Sequence, residues 1–464
     1  METAIILVFV LGYLAITLEH SIKIDKLIPA LVMMAICWAL IALGIDAFPQ
    51  WFDSAKHSLL ENFGMLEHEE KMHLMEETLL HHLGKTAEIL VFLLGAMTIV
   101  EIIDYFDGFS TIKGFIRTKK KSKILWIFAC LAFVLSAIID NLTATIVLIS
   151  ILQKIVKDRN IRIWYAGLIV IAANAGGAWS PIGDVTTTML WIGDKVTTSN
   201  LIAYLFIPSL MCMIVPTLIA SFMPAFKGNL EMEESADDKP KSRFSGTMLY
   251  LGLAGIVSVP IFKTITHLPP YVGMMLALGV VAIFAEVYST SKFSLTEVDS
   301  SESLAHSHHS PVHHSLSKIE MPSILFFLGI LMAVAALESL GILFGFATTL
   351  QETMPMLGTE IQIGGVSDLV VILLGIGSAV IDNVPLVAAS LGMFSEPIDD
   401  QLWHFIAYSA GTGGSMLIIG SAAGVVAMGM EKIDFFWYLK KIAWLALLGF
   451  LVGAAGFMVM RTLL

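Results

Sequence analysis

Charge is what this sequence has least of. Of its 464 residues only 14% are charged, against roughly 25% in an average soluble protein. Meanwhile 56% are hydrophobic and the mean hydropathy is +0.81. A soluble chain of this length needs a charged surface that these residues cannot supply, and disorder is excluded by the same hydrophobicity. No basic surplus exists either: a net charge of −12 and a pI near 5.5 argue against a nucleic-acid partner. Cysteine is scarce, and Cys37, Cys130 and Cys212 all lie inside apolar runs. They form neither a disulfide framework nor a metal-ligand spacing and read as small buried hydrophobes. The opening METAIILVFV lacks a positive n-region and reads as a first span, not a cleaved signal peptide. P-loop, nucleophile elbow and HExxH motifs are all missing, which speaks against ATP-driven transport by this chain and leaves no cofactor to expect.

What is there is a series of apolar runs, and ten spans of roughly 20 residues would use about half the chain. Single spans are predicted near 3–19, 27–45, 87–104, 203–226, 246–262, 269–289, 321–343 and 435–460. Four longer runs are not simple spans: 164–193 and 401–430 are glycine-rich, and 124–153 and 366–395 each carry an Asp-Asn pair at mid-length. Lys119, Lys120, Lys121 and Lys123 precede 124–153, and Lys154, Lys157, Arg159 and Arg162 follow it. Positive residues mark the cytoplasmic side, so both ends of this run lie inside and it turns at Asp140-Asn141 as a re-entrant hairpin. The flanks of 366–395 hold no Lys or Arg but do hold Glu352, Glu360, Glu396, Asp399 and Asp400, which places its ends outside. With about ten spans and two hairpins, Lys56, Lys71, Lys85, Lys195, Lys263 and Arg461 are the basic residues left outside, and the rest of the 27 fall inside. Both termini come out external.

Self-similarity is the strongest internal signal. SAIIDN at 136–141 matches SAVIDN at 378–383. FLLGAM at 92–97 resembles FFLGIL at 326–331, and GGAWSPIG at 176–183 resembles GGSMLIIG at 413–420. The three blocks recur in one order, and the layout runs the span at 87–104 inward and that at 321–343 outward. The expected fold is therefore an all-α polytopic membrane protein with two inverted repeats, each holding a re-entrant hairpin and a broken helix, an arrangement typical of secondary transporters. Residues 1–86 form N-terminal spans with an external insert, 87–226 the first repeat and 227–245 a cytoplasmic linker. Residues 246–289 are two scaffold spans, 290–320 a His-rich cytoplasmic loop and 321–464 the second repeat.

Carboxylates at membrane depth are costly, on the order of 2.5–3.5 kcal/mol on insertion scales. Asp140 and Asp382 occupy matched hairpin tips, each followed by an asparagine, Asn141 and Asn383, with Thr143 adding a hydroxyl in the first. These oxygens suit a hard cation such as Na⁺, and each Asp also suits an N-cap. In the broken runs, Asn174, Ser180, Asp184, Thr186 and Thr187, and then Ser409, Thr412, Ser415 and Ser421, add polar oxygen between helix-breaking glycines. Glu101, Asp104 and Glu338 near the ends of the preceding spans are candidate proton relays.

The paired IDN tips and NAGGAWSPIGDVTTTMLW resemble NhaD-type Na⁺/H⁺ antiporters, within the ion transporter superfamily that also holds arsenite permeases and divalent anion/Na⁺ symporters. The resemblance implies export of Na⁺ or Li⁺ in exchange for protons, pH homeostasis, a bacterial inner-membrane location, and a homodimer whose scaffold carries an elevator-like transport unit. It carries onto Ser136, Asp140, Asn141, Asn174, Asp184, Thr186, Thr187, Ser378, Asp382, Asn383 and Ser415. Where the anion symporters carry Ser-Asn-Thr at the tips, this chain has aspartate first, which favours a titratable cation site. The expected mechanism is competition, with Asp140 or Asp382 binding either Na⁺ or a proton, and Asp184 a further titratable candidate.

Three peripheral segments complete the sequence. The insert 46–86 reads as one or two acidic, His-bearing amphipathic helices on the membrane surface. Residues 105–123 read as a basic interfacial helix beside anionic lipid. HSHHSPVHH at 306–314 reads as a flexible loop that could bind metal or sense pH. Two rival functions remain: an anion or metalloid permease or Na⁺-coupled dicarboxylate transporter of the same fold, and an intramembrane aspartyl enzyme using Asp140 and Asp382 as a dyad.

Overall fold

The computed structural model describes residues 1–53, 58–60, 62–113, 118–230, 244–294, 310–343, 345, 368–380 and 382–463. Glu352, Glu360, most of the linker 227–245 and the first four residues of the His-rich run 306–314 lie outside the described residues. The chain is mostly helical. In chain order the main helices are α1 (Glu2–Thr17), α2 (Leu27–Leu43), α3 (His68–Tyr105), α4 (Lys121–Ile139), α5 (Asn141–Ile155), α6 (Arg159–Gly177), α7 (Val185–Ile192) and α8 (Thr198–Ser221). They continue with α9 (Ser245–Thr266), α10 (Pro270–Ser294), α11 (Met321–Ser339), α12 (Asp368–Gly377), α13 (Asn383–Met393), α14 (Gln401–Gly413), α15 (Ala422–Glu431) and α16 (Ala443–Leu463). Among the described residues seven helices, α3, α4, α8, α9, α10, α11 and α16, are long and apolar enough to cross a membrane. The protein is a polytopic membrane protein. Large apolar side chains such as Leu7, Leu11, Ile261 and Leu276 stay exposed on the outer helix faces, as a lipid surround allows and water does not.

The insert departs from expectation. It holds a two-stranded antiparallel ribbon, Trp51–Asp53 against Ser58–Leu60, and Trp51 stacks on Phe63 at 5.2 Å. The acidic, His-bearing run that follows is no separate surface helix but the first half of α3, whose 38 residues start at a Glu67/Glu70 capping box. At 1.5 Å per residue α3 is about 57 Å long, so about half of it extends beyond a core of roughly 30 Å. The run 435–460 also divides: Asp434 caps a short helix, Phe435–Lys441, before α16 begins.

Three of the long runs are interrupted within the described residues. α4 stops at Asp140, whose φ of 77° no helix accepts, and the Asp140 side chain caps α5. Between α6 and α7, residues 178–184 run without helix, and the same break recurs at 414–421 between α14 and α15. Asp184 caps α7 at φ −148°, ψ 147°, and Ser421 caps α15 at φ −148°, ψ 153°.

Packing sorts the helices into two groups. Within the first, α2 packs on α1 and α11, and α10 on α3 and α9. Within the second, α4 and α5 pack on each other and on α6, α15 on α5 and α6, α12 on α14, and α16 on α8 and α14. α13 packs on α7 and α14 of the second group and also on α11 of the first, and lighter contacts of α9 on α4 and α3 on α7 join the groups as well. Two buried ion pairs lock the second group. Arg162 Nε lies 2.8 and 2.7 Å from the Glu431 carboxylate oxygens, which also accept from Gln153 Nε2 at 2.9 Å. Arg461 forms a two-pronged pair with Asp368 at 2.7 and 2.6 Å, joining α16 to α12.

Candidate ion-binding site

The two breaks and the two tips converge. Asp184, buried to 2% exposure, sits at the start of α7 because Gly177, Pro181 and Gly183 leave 178–184 without helix and free the first N–H groups of α7 to seek an acceptor. Its Oδ1 accepts from the Thr186 N–H and hydroxyl, both at 2.9 Å. Its Oδ2 accepts from Asn141 Nδ2 at 2.7 Å and from Asn383 Nδ2 at 3.3 Å. Asn141 also donates to Asn174 Oδ1 at 3.0 Å, and Asn174 Nδ2 donates to Ser421 Oγ at 2.9 Å. One connected polar chain thus joins both tips to both breaks, with all six side chains buried. A carboxylate so buried is sustained by its donors. Amide orientation follows from the hydrogen-bond network, and rotating Asn141 or Asn383 would exchange a donor for a carbonyl ligand.

Asp140 is placed differently. Its carboxylate accepts from the Thr143 N–H at 2.7 Å and hydroxyl at 2.9 Å. With Asp184 and Thr188 it lines a cavity of about 20 Å³ otherwise walled by apolar side chains, room for about one water-sized sphere. Ile138 and Ile182 separate this polar pocket from an apolar cavity of about 550 Å³ lined by Phe133, Trp179 and Phe206. Asp382 does not cap α13 with its side chain. It pairs with Lys26 Nζ at 3.1 Å.

Of the remaining predicted ligands, Thr186 joins the network, whereas several hydroxyls donate to backbone. Ser136 Oγ donates to Ala173 O at 2.5 Å and Ser378 Oγ to Gly375 O at 2.7 Å, so each fastens a tip element locally or to its broken helix. Thr187 donates to Asp184 O at 2.9 Å, Thr412 to Tyr408 O at 2.6 Å, and Ser415 to Thr412 O at 2.5 Å. Their oxygens keep lone pairs but belong to the frame around the network. Ser180 likewise donates to Ala137 O at 2.6 Å. Glu101 and Asp104 sit near the end of α3, and Glu101 lies within electrostatic reach of Lys318. Glu338, in the last turn of α11, lies against Gly392 of α13. Hydrogen bonds connect none of the three to Asp184 among the described interactions. No group of three or more His, Cys, Asp or Glu that could hold a metal ion occurs among the described residues.

A family model described as a citrate transporter matches residues 13–403. Sodium/proton antiporter 1 of Arabidopsis thaliana is 38% identical over 466 residues, covering 100% of this chain and 73% of its own. Na(+)/H(+) antiporter NhaD of Vibrio parahaemolyticus is 33% identical over 377 residues, covering 78% of this chain and 87% of its own, and the namesake from Vibrio cholerae is 30% identical over 470 residues, covering 97% and 90%. The chain belongs to the NhaD-type sodium/proton antiporter family. It is a membrane transporter, not an enzyme. Because relatives come from a plant as well as from bacteria, the NhaD likeness establishes a multi-pass membrane protein and not a particular membrane.

For an NhaD-type chain, sequence reasoning singled out Asp184 and both tips but passed over Lys26. That lysine stands in a short polar link between two apolar runs and reads as one more cytoplasmic charge. Only its nearness to Asp382, far along the chain, sets it apart. His404 was passed over as well: it is fully buried, stacked on Tyr204 at 4.8 Å, with Asp399 Oδ1 3.5 Å from Nε2. A histidine in an apolar run is a weak signal, since core packing places such residues too.

Proposed function

We propose that the protein exchanges cytoplasmic Na⁺ or Li⁺ for external H⁺, with the buried carboxylate Asp184 and the partly buried Asp140 and Asp382 taking the cation or the proton in turn. The observation that carries this reading is the buried chain in which Asp184 meets asparagines of both tips. A charge so enclosed is stable only while donors or a cation match it. In the arrangement described, four N–H and O–H groups do so. With Na⁺, amide rotation at Asn141 and Asn383 would present oxygens instead, and Ser421, Thr143 and freed backbone carbonyls of 178–184 are within the same neighbourhood. A proton on Asp184 serves the same end with no ligand at all, which makes the two occupants exclusive.

Two inverted repeats, as the recurring sequence blocks suggest them, would provide alternating access in this reading. Gly177 and Gly414 occupy matching places: a Cβ on the first would lie 2.5 Å from Gly183 O, and on the second 2.6 Å from Gly420 O. Gly176 meets the backbone of Phe133, and Gly413 that of Gly375, matched residues of α4 and α12. The second helix group would move as an elevator against α1–α3 and α9–α11, with both hairpins re-entrant, both termini external and the first group forming a homodimer interface within the lipid.

A second reading, transport of a carboxylate anion, is favoured by the description of the matching family model. Against it stand three carboxylates around the centre. In proteoliposomes holding a pH-sensitive dye, the cation reading expects Na⁺ or Li⁺ to drive proton movement that Asp184→Asn strongly reduces. Citrate-driven uptake that tolerates Asp184→Asn, or full Na⁺-driven flux in Asp140→Asn, Asp184→Asn and Asp382→Asn alike, would overturn it.

A further inference from the structure

We infer that Lys26 is a latch that holds the second hairpin to the N-terminal helices whenever Asp382 carries no transported cation, and so prevents the empty carrier from crossing. The inference rests on the proposed role of Asp382 as a cation-binding carboxylate and adds a residue and a coupling rule to it.

The geometry is specific. Lys26 is the N-cap residue of α2, and α2 packs on α1 and α11. Its Nζ reaches Asp382 Oδ2 at 3.1 Å and sits 4.5 Å above the ring of Phe326 on α11. The two side chains are 24% and 14% exposed, so solvent screens the pair only partly. Asp382 starts α13, in the other helix group. The bond therefore joins the two bodies that elevator movement would separate. Other charged or ionisable groups in reach of the pair are Glu19 beside α1, Glu320 before α11 and Tyr13 on α1, on the Lys26 side of the boundary, and Asp184 at the start of α7, on the Asp382 side. Asp140 and Asp184 have no lysine or arginine partner among the described interactions. Their charges are met by amides and hydroxyls that travel with them.

Exchange through shared carboxylates has one requirement beyond binding. A unit loaded with either cation must cross and an empty one must not, or the Na⁺ gradient drains with no proton returned. An empty Asp382 is a full negative charge, and moving it away from Lys26 would leave two partly desolvated charges unpaired. A cation on Asp382 cancels that charge, and the attraction that opposes movement disappears. Lys26 acts as a fixed charge in this scheme, as a positioning residue and not a ligand.

The test uses the purified full-length chain in proteoliposomes, following Na⁺ with a radioactive tracer and H⁺ with a trapped dye. Lys26→Met is expected to keep Na⁺-driven proton movement but to raise the Na⁺ moved per proton at least threefold, the excess being uncoupled leak. Lys26→Arg, which keeps the charge, is expected to restore tight coupling. An unchanged ratio in Lys26→Met, with exchange intact, overturns the latch, as does equal leak in Lys26→Arg and Lys26→Met. Should Lys26→Met not fold, Lys26→Gln is read in its place against the same arginine variant. Wild-type vesicles with no Na⁺-driven proton movement would instead remove the functional reading on which the latch depends.

Discussion

Asp184 is the residue on which most of the polar architecture converges. A substituted Asp184→Asn retains the shape but brings an amide up against the donors Asn141, Asn383 and Thr186, so both charge and hydrogen-bond complementarity go. Na⁺-driven proton flux is expected to fall by about 10–100-fold or more, the scale seen when a metal-ligand shell is disturbed, and the vesicle assay reads it directly. Asn174→Ala, which removes the bridge from Asn141 to Ser421, is expected to raise the Na⁺ concentration for half-maximal flux while leaving the protein folded. Stability at this scale belongs to other residues. Arg162→Ala would strand the fully enclosed Glu431 carboxylate, a loss of about 3–5 kcal/mol for breaking a buried pair. The unfolding midpoint in detergent should drop, and the further change Glu431→Gln should recover part of it, because the stranded charge is then gone.

At the scale of the element, the breaks are as informative as the helices. A Cβ on Gly177 would lie 2.5 Å from the Gly183 carbonyl and 3.1 Å from Asp184 Cβ. Since those neighbours are backbone or backbone-anchored, they cannot swing aside as a flexible side chain would. Gly177→Ala is therefore expected to displace the segment that presents Asp184, at about 1–3 kcal/mol of overpacking strain, and to lower transport by more than its effect on stability. Comparing flux with the amount of folded protein by size-exclusion chromatography separates the two. Such breaks are legible in the sequence because glycine and proline act on the backbone locally. The ribbon in the insert and the unbroken α3 were less legible. In Trp51–Asp53 a three-residue strand carries too few side chains to show a period, and in α3 the apolar span and its acidic extension share one helix but have opposite compositions, so the composition boundary marks no structural one.

The described helices form two groups, and the contact of α11 with α13 lies on the boundary between them. Glu338 and Gly392 meet there: a Cβ at 392 would be 3.0 Å from Glu338 Oε2. Cysteines at these two positions, in a background with Cys37, Cys130 and Cys212 replaced, are expected to be joined by a short bifunctional thiol reagent. If the groups move against each other, that bridge stops Na⁺/H⁺ exchange, and a cleavable reagent lets it be restored. Full exchange in the bridged protein would mean that transport needs no movement at this boundary.

Composition and local pattern were enough to establish a polytopic membrane chain, the helix breaks and the residues whose chemistry suits a cation, because hydrophobicity, glycine, proline and a buried carboxylate each declare themselves within a few positions. Partners were decided only in three dimensions. Asp140 and Asp382 look equivalent along the chain, yet one closes on Thr143 three residues away while the other reaches Lys26, 356 residues distant. Asp184 finds Asn383 across 199 residues. Electrostatic and hydrogen-bond energies depend on separations of a few ångströms, and no local pattern fixes such a separation between segments so far apart. Which carboxylate sits at the centre, and which is held by a lysine, is therefore a property of the packed helices.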